Sequence, residues 1–156
     1  MSELLQAIYR GDQARADELL AGDPELDVFE AAAVGRTERL RELLDDDPSL
    51  ANAWADDGFQ PLGLASFFGH VEAARFLVER GAEVNSASRN DFEVMPLHSA
   101  AATGDSEVRY ELAKLLLEHG ADPNERQQDE FTPLMAADQH EDERLRALLV
   151  EHGADD

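Results

Sequence analysis

The sequence predicts an all-α fold, a solenoid in which helix–turn–helix units stack in a line. Two observations predict it. Residues 60–65, 95–100 and 132–137 read QPLGLA, MPLHSA and TPLMAA, so one motif recurs three times. Residues 77–82, 116–121 and 149–154 read LVERGA, LLEHGA and LVEHGA, so each copy leads into a segment that ends in Gly-Ala. Repeats of this kind indicate stacked units, because no single unit can bury its apolar face alone.

Each clear copy carries the signals for two successive helices. Proline follows the first motif position in all three copies, which suits the first turn of a helix, where a missing N–H costs nothing. A glycine closes the second helix because it adopts the left-handed conformation without steric cost. The prolines are Pro61, Pro96 and Pro133, and the closing glycines are Gly81, Gly120 and Gly153.

Two weaker copies precede the three clear ones. Residues 28–35 read VFEAAAVG and residues 4–11 read LLQAIYRG, and each copy ends at a glycine that closes the first helix. Leucines follow both copies at helical spacing. The chain therefore holds five units.

These motifs resemble the ankyrin repeat, whose hallmark is Thr-Pro-Leu-His, then Ala-Ala, a glycine, and a leucine-rich helix closed by Gly-Ala. The resemblance covers the chain as one domain, residues 1–156, with repeats at about 1–24, 25–54, 55–89, 90–126 and 127–156. It implies an ankyrin-repeat solenoid with short β-hairpin fingers between units. It also implies protein–protein interaction, while the fold says almost nothing about the partner.

The glycine spacing departs from the regular pattern at two places. The interval 11–35 is 24 residues, against 34 for the interval 35–69, so the finger between units one and two is missing. The interval 104–120 is four residues longer than 69–81, which adds about one turn to the second helix of unit four around Ser106–Tyr110. Three residues also depart from the motif. In unit five, Glu141 replaces the glycine that closes the first helix. In unit three, Gly63 replaces the His and Gln60 replaces the Thr.

The composition is strongly acidic. The formal net charge is −22, with 35 acidic residues against 13 basic ones. Such a field repels phosphate backbones and anionic lipids, so it disfavours nucleic-acid and membrane partners and favours a protein with a basic surface. Adaptation of a bacterial or archaeal protein to high salt explains the charge equally well, so a passive acidic scaffold or spacer is the alternative function.

Several other classes of function lack their sequence signals. No cysteine occurs, which removes disulfides, thiolate nucleophiles and cysteine–zinc sites. Glu3 lies where a signal peptide needs positive charge, and no segment approaches the ~20 apolar residues that span a bilayer. We expect a monomeric cytoplasmic protein without a cofactor.

The five histidines do not form a recognisable catalytic pattern. His98 lies in the repeat motif, where the resemblance implies that its ring ties neighbouring loops by hydrogen bonds. His140 has no such role, and with Glu141 and Asp142 it is the one candidate for catalysis. The acidic run Asp45–Asp47 lacks the spaced ligands of a calcium loop. We therefore expect neither an enzyme nor a metal site.

The resemblance implies that a partner contacts the fingers and the exposed positions of the first helices. Trp54, Phe67 and Phe68 form the predicted centre, because exposed aromatic side chains on a solvated surface are typical of binding sites. For Phe59 and Phe131, packing against neighbouring fingers is the favoured interpretation. The predicted acidic rim is Asp56, Asp57, Asp91 and Asp129. The predicted partner-binding residues are Trp54, Asp56, Asp57, Phe59, Phe67, Phe68, Arg89, Phe92, Val94, Thr103, Phe131 and His140.

Overall fold

The computed structural model of the protein describes residues 1–155, and all regular structure in this part of the chain is helical. Ten α-helices occur there, together with two short 3₁₀ turns at Pro48–Asn52 and Gln128–Glu130. None of these helices combines the length and the hydrophobicity needed to cross a bilayer. The helices are α1 (Glu3–Tyr9), α2 (Gln13–Ala21), α3 (Val28–Val34), α4 (Thr37–Asp46), α5 (Pro61–Phe67), α6 (Val71–Glu79), α7 (Pro96–Ala101), α8 (Ser106–Glu118), α9 (Pro133–Gln139) and α10 (Glu143–Glu151).

The helices form five pairs that stack in two layers. The first helices α1, α3, α5, α7 and α9 contact one another in that order, and α4, α6, α8 and α10 form a second layer. Small side chains let the first helices approach closely, and leucines fill the space beside the second helices. The leucines of the second layer that are less than 2% exposed are Leu40, Leu44, Leu77, Leu112, Leu116, Leu145 and Leu149.

Local sequence signals fix where the helices begin. Pro61, Pro96 and Pro133 occupy the first positions of α5, α7 and α9, which confirms the prediction from the motif. The helix α3 begins with a capping box, in which the carboxylate of Asp27 accepts from the N–H of Glu30 at 2.8 Å and the Glu30 side chain accepts from the N–H of Asp27.

The first helices close on a residue with left-handed backbone. Gly11, Gly35 and Gly69 have φ of 71°, 74° and 78°, and Glu141 takes the same conformation with φ of 53°. The prediction that Glu141 replaces the closing glycine is confirmed. Unit four differs, because Gly104 is outside the left-handed region and is followed directly by Asp105, the N-cap of α8.

The predicted extra turn in unit four is present, since α8 has 13 residues against 9 in α6. It places Arg109 in the interior. The guanidinium donates to Asp142 Oδ2 at 2.9 Å and to the carbonyl oxygen of Thr103 at 2.6 Å. Burial opposes ionisation of Asp142, but the N–H of Leu145 and the Arg109 guanidinium outweigh it and hold the pKa of Asp142 below its ordinary value. Arg109 thereby connects the last two units.

The fingers at 53–59, 86–94 and 125–131 are turns rather than the expected β-hairpins, since no strand is formed anywhere in residues 1–155. One backbone hydrogen bond closes each finger: Ala55 N–H to Phe59 O, Ser88 N–H to Val94 O, and Gln127 N–H to Phe131 O, at 2.8, 2.9 and 3.0 Å. Neighbouring fingers are joined by one further bond each, from Arg89 N–H to Gly58 O and from Gln128 N–H to Phe92 O. Such single bonds do not make a ladder.

Three asparagines link units two to five in the same way. The amide of Asn52 donates to the carbonyl of Gly81 and accepts from the N–H of Glu83, at 3.0 and 2.9 Å. Asn85 repeats both bonds one unit further along, with Gly120 and Asp122. Asn124 does so again in the last unit, with Gly153 and Asp155. These bonds satisfy backbone groups at helix ends that have no partner within the helix.

Histidines tie loops across unit boundaries, as the resemblance implies for His98. His98 Nδ1 accepts from the N–H of Met95, so Nε2 carries the proton and donates to the carbonyl of Glu125 at 2.8 Å. His70 Nε2 forms the corresponding bond to the carbonyl of Ala33 at 2.9 Å. In unit three Gln60 makes no cap bond, and its amide reaches back to the carbonyl of Asn52 instead.

Relieving the left-handed glutamate is expected to stabilise the fold. An L-residue in this conformation costs about 1–2 kcal/mol, which glycine avoids. Glycine also has greater conformational entropy in the unfolded chain, which offsets part of this gain. Glu141→Gly should therefore raise the free energy of unfolding by about 0.5–1 kcal/mol. Chemical denaturation measures it. Gly104→Ala is the control, because this glycine is not left-handed and a Cβ there meets open space. A loss of stability in Glu141→Gly would contradict the left-handed conformation of Glu141, and a large loss in Gly104→Ala would contradict the relaxed conformation of Gly104.

Acidification is expected to weaken the histidine bonds. Burial lowers the pKa of His98, partly opposed by its bond to Glu125. The pKa of His98 in the folded state lies below the unfolded value of about 6.5. The stability that neutral His98 contributes is therefore fully present above pH 6.5 and is lost as the pH falls towards the folded-state pKa. The free energy of unfolding should therefore fall by up to about 1 kcal/mol per such histidine between pH 7.5 and 5.5.

Denaturant titrations at the two pH values test this, and His98→Asn should reduce the difference between them. The control is His140→Asn, which changes an exposed ring and should leave the difference intact. If the stability of His98→Asn depends on pH as strongly as that of the unsubstituted chain, His98 is not a source of the pH dependence.

Candidate functional site

Three aromatic rings form a continuous row between α1 and α5. The rings of Tyr9 and Phe68 are 5.5 Å apart, and those of Phe68 and Phe67 meet edge to face at 4.9 Å. We call Tyr9, Phe68 and Phe67 the aromatic row. It connects the first unit directly with the third, because α3 between them offers mainly alanine side chains on this side.

Tyr9 also ties the row to the first finger. Its hydroxyl donates to Asp57 Oδ2 at 2.9 Å. Burial and the neighbouring carboxylate of Asp57 raise the pKa of Tyr9 well above its ordinary value, so the hydroxyl stays a donor at every physiological pH. The other carboxylate oxygen of Asp57 accepts from the N–H of Phe59, and Asn90 donates to the Asp57 carbonyl at 3.1 Å.

An open groove of about 500 Å³ lies beside Tyr9, and we call it the N-terminal groove. Phe92 and Met1, which are 58% and 56% exposed, are the two most exposed large hydrophobic side chains in residues 1–155, and both line it. The Tyr9–Asp57 bond forms part of its wall. The lining residues are Met1, Gln6, Tyr9, Arg10, Asp57, Phe59, Asn90 and Phe92.

The first two fingers meet at Gly58 in a contact that admits no side chain. Gly58 has φ of 89°, and a Cβ built on it lies 2.4 Å from the carbonyl oxygen of Arg89. Glycine is therefore required both by conformation and by space. The contact holds the two fingers that border the N-terminal groove at a fixed distance.

Trp54 lies in a separate recess rather than with Phe67 and Phe68. The Arg89 guanidinium covers its ring at 3.8 Å, and the recess of about 190 Å³ beside it is also lined by Asp56. The structure thus places Trp54, Arg89 and Asp56 next to the N-terminal groove, which they border but do not line.

The two neighbouring phenylalanines differ in their surroundings. Phe67 is 49% exposed, as expected. The expectation that Phe68 is equally exposed is wrong, because Phe68 is half-buried, packs against the hydrophobic core and contacts Tyr9. Both rings line a shallow recess of about 350 Å³ with Val108 from the lengthened α8.

Four other predicted residues lie apart from the groove. Thr103 is buried, and its hydroxyl donates to the carbonyl of Ala100 at 3.1 Å, so it offers no exposed hydroxyl to a partner. Val94 and Phe131 are half-buried, and Phe131 packs against the hydrophobic core, whereas the sequence interpretation was packing against neighbouring fingers. His140 is exposed at the end of α9.

The sequence did not single out Tyr9 as the centre of the site, nor Met1, Gln6, Arg10 and Asn90 as part of it. The repeat pattern does place Tyr9 on the predicted partner-facing line, since it precedes Gly11 by two residues, as Phe67 precedes Gly69. No such signal exists for Asn90, whose role depends on the approach of one finger to the next.

The finger surface is acidic, and its two basic side chains are engaged. Arg89 stacks on Trp54, and Arg126 forms an ion pair with Glu130. The acidic residues on the three fingers are Asp56, Asp57, Asp91, Glu93, Glu125, Asp129 and Glu130. The surface therefore presents unbalanced negative charge beside exposed aromatic rings.

A second opening of similar size, about 510 Å³, lies where the finger between units one and two is missing. Its lining contains no aromatic side chain. The guanidinium of Arg39 is held there by Glu42 at 3.0 Å and by the carbonyl of Leu26 at 2.9 Å. Because it has no aromatic side chain and Arg39 is already bound, this opening has less to offer a partner than the N-terminal groove.

The residues of the catalytic hypothesis serve the fold. The carboxylate of Asp142 is 10% exposed and bound by Arg109 and by the N–H of Leu145. Glu141 forms the left-handed turn that follows His140. Within residues 1–155 no three His, Asp or Glu side chains are grouped closely enough to hold a metal ion.

Comparison with known proteins identifies the repeats. Residues 86–156 match a family model described as ankyrin repeats in three copies, and residues 28–78 match one described as ankyrin repeats in many copies. Together the two matches cover most of the chain.

Similar curated proteins carry these repeats within much longer chains. The chain is 37% identical over 114 residues to the E3 ubiquitin-protein ligase Ufd4 of Drosophila melanogaster, covering 73% of this chain and 4% of the relative. It is 30% identical over 138 residues to the ankyrin repeat, SAM and basic leucine zipper domain-containing protein 1 of Dasypus novemcinctus, covering 88% and 28%. It is 35% identical over 105 residues to the ankyrin repeat and SOCS box protein 3 of Bos taurus, covering 67% and 19%. The chain thus spans less than a third of each relative.

The two phenylalanines of the aromatic row are expected to respond differently to truncation. Phe68→Ala removes a ring that packs on the core and on Tyr9, so it should lower the free energy of unfolding by about 1–2 kcal/mol. Phe67→Ala should change it by less than about 0.5 kcal/mol, because the side chain is largely solvated. Urea denaturation of both variants measures the contrast, and equal losses would show that the two rings are equivalent.

Proposed function

Because the chain belongs to the ankyrin-repeat family, we propose that it is a non-enzymatic module that binds another protein on its concave and finger surface. Ankyrin repeats are generally protein–protein interaction modules. The observation that carries the proposal is the exposure of Phe67 and Phe92, at 49% and 58%, on the first-helix and finger side of the stack. Exposed aromatic side chains with polar surroundings are typical of binding hot spots.

The fixed geometry of this surface supports the proposal. Backbone hydrogen bonds join successive fingers, and the Tyr9–Asp57 bond holds α1 to the first of them. A surface that is already ordered loses little conformational entropy on binding. In this proposal the five helix pairs act as one domain, and the partner contacts several units at once.

The partner in this proposal carries a basic surface. Seven acidic residues lie on the fingers, and the two finger arginines are occupied by Trp54 and Glu130. Complementary charge raises association rates and makes them sensitive to salt. The same field disfavours nucleic acid, because it repels phosphate.

Affinity capture from native lysate with quantitative mass spectrometry tests the proposal. The bait is compared with the double variant Phe67→Ser/Phe92→Ser, which removes the exposed rings while sparing the core. The matched control is Val150→Ser, because Val150 is 45% exposed on the second helix α10. We expect a specific protein that is captured by the unsubstituted chain and by Val150→Ser and is depleted at least about tenfold by the double variant.

Equal capture by all three baits rejects the finger surface as the binding site. If no bait captures a specific protein and molar salt raises the melting temperature strongly, the alternative of a passive acidic scaffold adapted to high salt is supported instead.

A further inference from the structure

We propose that the N-terminal groove is the docking site for an extended basic segment of the partner protein. One large apolar side chain of that segment enters the groove between Tyr9 and Phe92. Arginine or lysine side chains on either side of it pair with Asp57, Asp91 and Glu93. The inference rests on the proposed function and names the chemistry that this part of the surface recognises.

The apolar part of the argument comes from the groove lining. Met1 and Phe92 expose more than half of their surface there, beside the rings of Tyr9 and Phe59. The groove is open, and its volume of about 500 Å³ has room for one large apolar side chain. Covering these side chains removes apolar surface from water at about 25 cal/mol per Å².

The charged part comes from carboxylates that have no cationic partner. No ion pair among residues 1–155 involves Asp57, Asp91 or Glu93, whereas most arginines of the chain are already paired with other acids. Arg10 is the one basic residue in the groove lining. It is the C-cap of α1, whereas the acidic residues Asp57, Asp91 and Glu93 belong to the fingers, so the basic flank of the segment is expected to face the fingers.

The backbone at the finger tips supplies an independent reason. Gly58, Glu93 and Glu130 each lie three residues before the proline that begins the next helix. All three have left-handed backbone, with φ of 89°, 49° and 63°. An L-residue there costs about 1–2 kcal/mol relative to a relaxed conformation, and glycine avoids that cost. The later two fingers therefore carry an acidic side chain at a position where glycine favours the fold.

Residues held in strained conformations concentrate at functional sites, where the side chain matters more than the stability. Glu93 is exposed and follows Phe92, so the strained glutamate lies next to the most exposed ring of the groove. An apolar contact and a charge contact are thereby offered by two consecutive residues. A segment with alternating apolar and basic side chains matches this arrangement.

Fluorescence anisotropy with labelled synthetic peptides tests the inference on the purified full chain. The first probe carries one leucine between two pairs of arginines, separated by glycines. The second replaces leucine by glycine, and the third replaces the arginines by glutamates. We expect the first peptide to bind about tenfold more tightly than the other two at low salt, and to lose affinity as salt rises.

Variants locate the site and separate it from general attraction to an acidic protein. Phe92→Ser should weaken binding of the first peptide about tenfold, while Val150→Ser, at an exposed position of α10 outside the groove and the fingers, should not. Glu93→Gly should weaken it at low salt about threefold while raising the melting temperature. Glu141→Gly is the matched control, because it also relieves a left-handed glutamate but should leave binding unchanged.

The inference is overturned by equal binding of the leucine and glycine peptides, by no effect of Phe92→Ser, or by equal effects of Glu93→Gly and Glu141→Gly. Self-association in sedimentation velocity that Phe92→Ser abolishes also overturns it, because the occupant is then a second copy of the chain. If the double variant loses the partner in the capture experiment while Phe92→Ser alone keeps it, the proposed function stands and the groove is not its centre. If the double variant keeps the partner, the proposed function itself fails.

Discussion

The packing of one helix pair on the next is the interaction on which this structure depends. No pair encloses its own leucines, and side chains such as Leu77 and Leu116 become fully buried only because a neighbouring pair covers them. Burial of each such side chain contributes about 1.5–3 kcal/mol. The bonds from Asn52, Asn85 and Asn124 to the closing glycine of the following unit add directionality, and so fix the spacing between pairs.

The N-terminal groove is a consequence of this stacking where one finger is missing. Only six residues connect α2 to α3, so nothing separates α1 from the finger at 53–59. Tyr9 can then reach Asp57, 48 residues away in the chain, and stack on Phe68. A shortened connection thus opens the N-terminal groove, because loops vary more freely than the packed elements they join.

The helix pairs, their proline starts, the lengthened α8 and the role of Glu141 follow from sequence because each is encoded by local residues. The site is only partly predictable, since it depends on contacts between distant segments. Phe67 and Phe68 are adjacent in sequence, and only the position of α1 decides which ring is covered. The expected β-hairpins do not form in residues 1–155, because only one backbone bond joins the two arms of each finger, which is too few for a ladder. The spacing of the repeats in the sequence gives no information on how many backbone bonds join the two arms of a finger.

The three finger tips share a left-handed backbone, but only the first of them excludes a side chain. At Gly58 the neighbouring carbonyl of Arg89 lies so close that no side chain fits, and the chain keeps glycine. At Glu93 and Glu130 the same backbone conformation occurs with room for a side chain, and the chain carries acids in spite of the conformational cost. An acidic composition alone does not explain why charged residues stand at positions where glycine would avoid the conformational cost. Glu93 therefore supports the proposed charged surface more specifically than the net charge of −22 does by itself, whereas Glu130 is paired with Arg126.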